Sequence, residues 1–175
     1  RFKQFNIKQD LSAMKVGTDG VLLGAWVEVP NATYNILDIG TGTGLIALQM
    51  AQRTESEIDA IEPNGQAFEE AVYNFEHSDW ADRLFCYHAN FSQFVEEFEN
   101  EQTYDLIVTN PPYHPEDYRS QNKNRDKARH QNGLPLEQLI QDVSKLLSAQ
   151  GEFAIVLPFN QENHCIDIAQ TFKLY

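Results

Sequence analysis

The chain has 175 residues, of which 42% are hydrophobic and 22% are charged, so it is long enough for one globular domain with a buried core. Cys86 and Cys165 lie far apart and belong to no CxxC motif or Cys/His cluster. We therefore expect neither a disulfide framework nor a metal site. The longest apolar run, Phe153 to Leu157, is too short to cross a bilayer, and we expect a soluble, cytoplasmic protein with no membrane partner.

The distribution of charge points to a polyanion in spite of the net charge of −13. Lys and Arg drive phosphate binding, and in this chain Asp and Glu outnumber them. However, nine of its 13 basic residues lie in segments 1–15 and 119–131, where an even spread would place about two. A solvated loop and a frayed terminus are the alternative. The nine residues are Arg1, Lys3, Lys8, Lys15, Arg119, Lys123, Arg125, Lys127 and Arg129.

Strand and helix patterns alternate along the chain. Helical spacing of apolar residues predicts a helix after each of the first four strands, and the fourth of these helices spans 134–151 with Gly151 as its stop. Helices between strands indicate βαβ units, and therefore a doubly wound, mostly parallel α/β sheet. In such a sheet, ligands bind beyond the carboxyl ends of the strands, where the strand order reverses. The apolar runs predict strands at 34–40, 57–62, 83–89, 104–109 and 152–158.

A glycine-rich turn, LDIGTGTG at 37–44, follows the first strand and opens the first helix after it. Its glycines, Gly40, Gly42 and Gly44, allow the backbone to turn tightly and approach a ligand. The third glycine comes one residue too early for a dinucleotide fingerprint. Asp38 suits a cationic amino-acid group, and Glu62, at the end of the second strand, can accept hydrogen bonds from both ribose hydroxyls. This pattern resembles the S-adenosylmethionine site of class I methyltransferases.

A second motif, Asn110-Pro111-Pro112-Tyr113, follows the fourth strand directly. Because that strand neighbours the first in the usual order, both motifs should face one crevice. Beside a methyl donor, the Asn110 side-chain oxygen and the Pro111 carbonyl can accept hydrogen bonds from the two N–H groups of a planar amine. These hydrogen bonds would direct the lone pair of the nitrogen at the methyl group. The prolines stiffen this arrangement, and Tyr113 offers a ring for base stacking. A Pro-Pro loop with Tyr113 packed on the surface is the structural alternative.

The two motifs together resemble the N6-adenine methyltransferases, whose fourth motif is [N/D]PP[Y/F]. A further stretch, MKVGTDGVLLGAWV at 14–27, resembles the amino-terminal motif of the bacterial valine-tRNA adenine-N6 methyltransferases, which modify nucleotide 37. The resemblance covers the whole chain and implies a Rossmann-like class I methyltransferase fold. It also implies that Lys15, Thr18 and Asp19 lie over the cofactor and that Asn90 stands where relatives carry an acid that contacts its adenine. A helix N-cap is the alternative role for Thr18 and Asp19.

The resemblance also sets expectations for the domain organisation and the partner. Residues 1–33 form an arm and a cofactor-covering helix, and residues 34–175 form the methyltransferase domain. That domain lacks its last strands, since a sixth would begin near TFKLY at 171–175, and we expect a longer natural product. The loop at 114–133 should order on RNA, and with residues 1–15 it should hold a tRNA anticodon stem-loop. Pro112, Tyr113, Arg119, Lys123, Arg125, Lys127 and Arg129 are the candidate RNA contacts.

Three alternatives remain open at the level of the sequence. The NPPY motif also occurs in methyltransferases of release-factor glutamine and of guanine N2 in ribosomal RNA, because those nitrogens are also planar and need the same acceptors. A module that binds S-adenosylmethionine without catalysis is disfavoured by the intact Asn110 and Tyr113. A nicotinamide-dependent oxidoreductase is disfavoured by the glycine spacing. The sequence does not indicate the oligomeric state.

Overall fold

The computed structural model describes residues 2–12, 14–30, 33–99, 103–112 and 134–175. Strands and helices alternate through these residues, as the apolar patterns predict. A short 3-10 helix at Phe159–Gln161 precedes the last helix. The elements are α1 (Thr18–Trp26), β1 (Asn35–Ile39), α2 (Leu45–Arg53), β2 (Glu57–Ile61), α3 (Gly65–Glu76), β3 (Leu84–Tyr87), α4 (Phe91–Phe98), β4 (Tyr104–Thr109), α5 (Leu136–Leu146), β5 (Leu147–Ile155) and α6 (Glu162–Thr171).

The five strands form one sheet in the order β3-β2-β1-β4-β5. Each neighbouring pair is parallel, which confirms the predicted doubly wound α/β class. The strand β1 lies between β2 and β4, so the order of the strands reverses at this point. The carboxyl ends of β1, β2 and β4 therefore meet at one edge of the sheet, where such folds bind ligands.

The sheet is covered on both faces, because successive residues of a strand point to opposite sides. Ile36 and Leu106 belong to the apolar cluster that includes residues of α1, α2 and α3. Leu37 and Ile107 belong to the cluster that includes residues of α4 and α5. All four side chains are fully buried, which accounts for the continuous apolar runs of the central strands.

The start of β5 differs from the prediction. The helix expected over 134–151 ends at Leu146, and β5 begins at Leu147. Tyr104 pairs with Leu147 whereas Leu106 pairs with Glu152, so β5 contains extra residues between these two pairs. A Cβ atom on Gly151 would lie 2.8 Å from the Tyr104 carbonyl oxygen. Gly151 thus permits a close approach of β5 to β4, and it does not stop a helix.

The described residues contain no sixth strand, no membrane-spanning helix and no cluster of metal-ligating side chains. Thr171 ends α6, and residues 172–175 form no strand in the described chain. Within the described ranges, no helix has the length and apolar character needed to span a bilayer. The same residues include no group of three or more His, Cys, Asp or Glu side chains placed to hold a metal ion.

Candidate active site

The candidate site lies at the carboxyl edge of β1, β2 and β4. Ile39 is aligned with Ile61 on one side and with Thr109 on the other. Gly40, Glu62 and Asn110 are consequently the first residues beyond three adjacent strands. The pairing continues past the strand ends, since the Gly40 amide donates a hydrogen bond to the Ile61 carbonyl at 2.9 Å. The structure thus brings the glycine-rich turn and the NPP segment to one edge of the sheet, at the ends of adjacent strands.

The glycine-rich turn depends on backbone conformations that favour glycine. The φ angles of Gly40, Gly42 and Gly44 are 69°, 59° and 82°, all in the left-handed region. A Cβ atom on Gly40 or Gly42 would have no atom of the described residues within 4 Å, whereas a Cβ atom on Gly44 would lie 2.5 Å from the Phe75 ring. The first two glycines therefore leave open space for a ligand, and the third allows the turn to pack against α3.

Asp38, at the end of β1, is completely buried. Its Oδ2 accepts hydrogen bonds from the Thr41 hydroxyl at 2.6 Å and from the Ala47 amide at 3.1 Å. Its Oδ1 has no hydrogen-bond partner among the described residues. Burial raises the pKa of Asp38 to about 7, although the two hydrogen bonds oppose the shift. A buried acceptor without a partner fits a site that takes up a cationic donor.

Glu62 is buried and held in one orientation by backbone amides. Its Oε2 accepts from the Gly42 amide at 2.9 Å, and its Oε1 accepts from the Asn64 amide at 2.8 Å. Each carboxylate oxygen has a second lone pair, so Glu62 can still accept hydrogen bonds from a pair of ligand hydroxyls. Its contact with Gly42 also joins the end of β2 to the glycine-rich turn.

Asn110 follows Thr109, whose hydrogen bonds tie the end of β4 to its neighbouring strands. The Thr109 hydroxyl donates to the Ile39 carbonyl at 2.8 Å, and the Thr109 carbonyl accepts from the Val156 amide at 3.3 Å. A Cβ atom on Gly20 would lie 3.6 Å from Asn110 Nδ2, so the first turn of α1 covers this asparagine. Asn110 and Pro111 are half-buried and Pro112 is exposed, which leaves the segment accessible to a substrate.

The amino-terminal candidates lie on and before α1. The helix begins at Thr18 with Gly17 as its N-cap and without a side-chain capping bond, so the N-cap alternative for Thr18 and Asp19 is wrong. Both side chains are exposed on the helix that covers Asn110. Lys15 Nζ donates to the carbonyls of Gln9 and Asp10, and this contact closes a loop in the preceding segment.

Asn90 has a structural role, which the capping-box spacing of Asn90 and Gln93 indicates in the sequence. It is the N-cap of α4, its Oδ1 accepts from the Gln93 amide at 2.9 Å, and Gln93 completes a capping box. Asn90 lies beyond the end of β3, which neighbours β2. Tyr113, Arg119, Lys123, Arg125, Lys127 and Arg129 lie outside the described residues.

Two buried polar residues of α3, Glu70 and Asn74, were missed by sequence reasoning. They occupy positions on the same stripe as Ala67, Ala71 and Phe75, all of which are buried. A polar side chain on an apolar stripe signals a buried polar contact, and this signal could have singled them out. Both contact the segment that precedes α1.

Comparisons with known proteins identify the fold and the family. The family model of the methyltransferase small domain matches residues 16–175. Among solved structures, a precorrin-6y C5,15-methyltransferase from Geobacter metallireducens superposes with a TM-score of 0.62 at 13% identity, over 97% of this chain and 75% of that one. A SAM-dependent methyltransferase from Agrobacterium tumefaciens gives 0.61 at 17% identity, over 87% and 49%. At these identities, the likeness shows a shared fold.

Curated relatives are much more similar in sequence. A tRNA1(Val) (adenine(37)-N6)-methyltransferase from Christiangramia forsetii is 53% identical over 100% of this chain and 73% of its own length. Proteins of the same name from Flavobacterium johnsoniae and Bacteroides fragilis are 52% and 43% identical, over 74% and 73% of their lengths. The chain belongs to the methyltransferase small domain family and, within it, to the family of tRNA1(Val) (adenine(37)-N6)-methyltransferases.

Proposed function

We propose that this protein transfers a methyl group from S-adenosylmethionine to the exocyclic N6 of adenine 37 in a valine tRNA. The observation that carries the proposal is the position of Asn110 and Pro111 beside the glycine-rich turn, at the carboxyl ends of the paired strands β4 and β1. The names of relatives up to 53% identical support the choice of tRNA and of nucleotide 37.

The residues present fit the cofactor. The unpartnered Oδ1 of Asp38 would accept a hydrogen bond from its ammonium group, and Glu62 would accept from its ribose hydroxyls. Gly40 and Gly42 leave space where side chains would otherwise stand. The side chains of Thr18 and Asp19, on α1, would cover it. When bound, S-adenosylmethionine supplies a methyl group attached to a positively charged sulfur.

The chain's own contribution to chemistry is to orient the adenine amine. That nitrogen shares its lone pair with the ring, which makes it planar and a poor nucleophile. Asn110 Oδ1 and the Pro111 carbonyl would accept hydrogen bonds from its two N–H groups. Because these acceptors would lie out of the ring plane, they would favour a tetrahedral nitrogen whose lone pair is free to attack the methyl group. Proline limits the motion of this carbonyl, which is the preorganisation that such catalysis requires. The proton that leaves the nitrogen can pass to water, so no general base is needed.

The basic segments would hold the RNA. Lys3, Lys8 and Lys15 are exposed, and they precede the helix that covers Asn110. The second basic segment, 119–131, follows Pro112 in sequence and would contact the same anticodon stem-loop. An adenine in an anticodon loop is unpaired, so its insertion costs less than flipping a base from a duplex.

The function is tested by methyl transfer to two transcripts of valine tRNA, one with adenine and one with guanine at position 37. We expect labelled methyl from S-adenosylmethionine to appear as N6-methyladenosine in the first transcript and to be absent from the second. Parallel reactions offer ribosomal RNA and a release factor, and label in N2-methylguanosine or in the release-factor glutamine, with unlabelled tRNA, would contradict the proposal and favour one of the alternative substrates.

Replacement of Asn110 by alanine removes one of the two acceptors for the amine. We expect kcat to fall roughly a hundredfold or more, while the Kd of S-adenosylmethionine, measured by calorimetry, stays close to that of the wild type. Asn35→Ala is the matched control, because Asn35 is a half-buried asparagine at the opposite end of β1. If Asn110→Ala loses cofactor binding together with turnover, the residue supports the fold and does not position the amine.

The affinity for the cofactor should rise with pH. Burial raises the pKa of Asp38 to about 7, so its carboxyl group holds a proton below that pH. A cationic ligand favours the ionised form, and cofactor binding should therefore strengthen from about pH 5.5 toward neutrality and release a proton. The change is measured as Kd by calorimetry in two buffers of different ionisation enthalpy. Asp38→Asn should bind weakly and without this slope, whereas a constant Kd of the wild type over the same pH range would refute the role of Asp38.

A further inference from the structure

The segment before α1, residues 2–12, is docked on α3 by two buried side chains. Glu70 accepts hydrogen bonds from the Leu11 amide at 2.6 Å and the Ser12 amide at 2.8 Å, and also from the Ser12 hydroxyl. Burial raises the pKa of Glu70, but these hydrogen bonds outweigh it and hold the pKa below its ordinary value. Glu70 is therefore ionised at neutral pH and anchors one end of the segment.

Asn74, one helical turn after Glu70, makes the second anchor. Its Oδ1 accepts from the Lys8 amide at 2.8 Å, and its Nδ2 donates to the Lys8 carbonyl at 2.9 Å. The Lys8 ammonium also lies 4.4 Å from the centre of the Tyr73 ring, a distance at which a cation and an aromatic ring attract. The side-chain amide of Asn74 thus pairs with the Lys8 backbone as a neighbouring strand would.

The same Nδ2 also donates to the Thr43 carbonyl at 2.8 Å. Thr43 lies between Gly42 and Gly44, in a turn whose glycines have little conformational preference of their own. Asn74 is buried, and both N–H groups of its side chain are engaged. If the segment left α3, Asn74 would lose its two bonds to Lys8 and keep only its bond to the Thr43 carbonyl, so its side chain would be held less firmly against the turn.

We propose that Glu70 and Asn74 are positioning residues that make the docked segment 2–12 part of the cofactor site, by fixing the Thr43 carbonyl and with it the glycine-rich turn. The inference rests on the proposed function for the identity of the ligand. The hydrogen bonds of Glu70 go to Leu11 and Ser12 and not to the turn. Weakening the contact of Glu70 with segment 2–12 should therefore loosen the bonds between Lys8 and Asn74, and so weaken cofactor binding through the bond of Asn74 to Thr43.

The test compares Glu70→Gln and Asn74→Asp with Asp142→Asn. Asp142 is a matched control because it is an equally buried carboxylate that accepts three hydrogen bonds, from Ser92, Gln138 and Lys145, on the opposite face of the sheet. Each variant is measured for thermal stability, for the Kd of S-adenosylmethionine by calorimetry, and for amide hydrogen exchange of residues 40–44 in the cofactor-free chain.

We expect Glu70→Gln and Asn74→Asp to raise Kd about tenfold and to speed exchange in the turn, while Asp142→Asn changes neither. An unchanged Kd and unchanged exchange in both α3 variants would overturn the inference, as would an equal effect of Asp142→Asn at equal loss of stability. Should either α3 variant fail to fold, Ser12→Ala replaces it, since it removes a single hydroxyl from the dock, and the expected rise in Kd is about threefold.

The exchange measurement separates this inference from the proposed function. If the wild-type chain does not bind S-adenosylmethionine, the proposed function fails, and exchange in residues 40–44 still decides whether the segment holds the turn. If the wild type binds the cofactor and methylates tRNA but the α3 variants bind equally well, the inference alone fails.

Discussion

The parallel pairing of β1 with both β2 and β4 is the constraint on which the site depends. It places the first residues after three strands side by side, so that the glycine-rich turn, Glu62 and Asn110 meet without any long loop to position them. These residues directly follow central strands of a sheet that is covered on both faces, so buried strands support them. Catalysis by orientation requires that kind of support.

The glycine-rich turn has an open backbone at Gly40 and Gly42, and its glycines have little conformational preference of their own. Side chains of neighbouring elements restrain this turn by hydrogen bonds. Glu62 holds the Gly42 amide, Asp38 holds the Thr41 hydroxyl, and Asn74 holds the Thr43 carbonyl. Asp38 of β1, Glu62 just after β2 and Asn74 of α3 thus all restrain the turn, and Asn74 also bonds to Lys8 in the segment before α1. The small turn is thereby ordered while its ligand-facing side stays free of side chains.

Much of the fold and of the site follows from local patterns. Apolar runs predict the central strands because those strands are buried on both faces, and the glycines and Asn110-Pro111 are recognisable because their spacing and their position after strands are unusual. The apolar stripe of α3 indicates that Asn74 is buried, but it does not indicate the partner, because Lys8 lies 66 residues away in the sequence. The start of β5 was misplaced for a related reason. Residues 147–150 suit a helix locally, and their pairing with β4 overrides that preference.

We propose that the edge of the sheet beyond β1 and β4 holds a methyl donor and an adenine amine at once. A crystal structure of the chain with S-adenosylhomocysteine and an adenine-37 anticodon stem-loop measures this directly. We expect the adenine N6 within hydrogen-bonding distance of Asn110 Oδ1 and of the Pro111 carbonyl oxygen, and the amino group of the cofactor product within the same distance of Asp38 Oδ1. An adenine bound away from Asn110, or a cofactor product bound away from the glycine-rich turn, would contradict the claim.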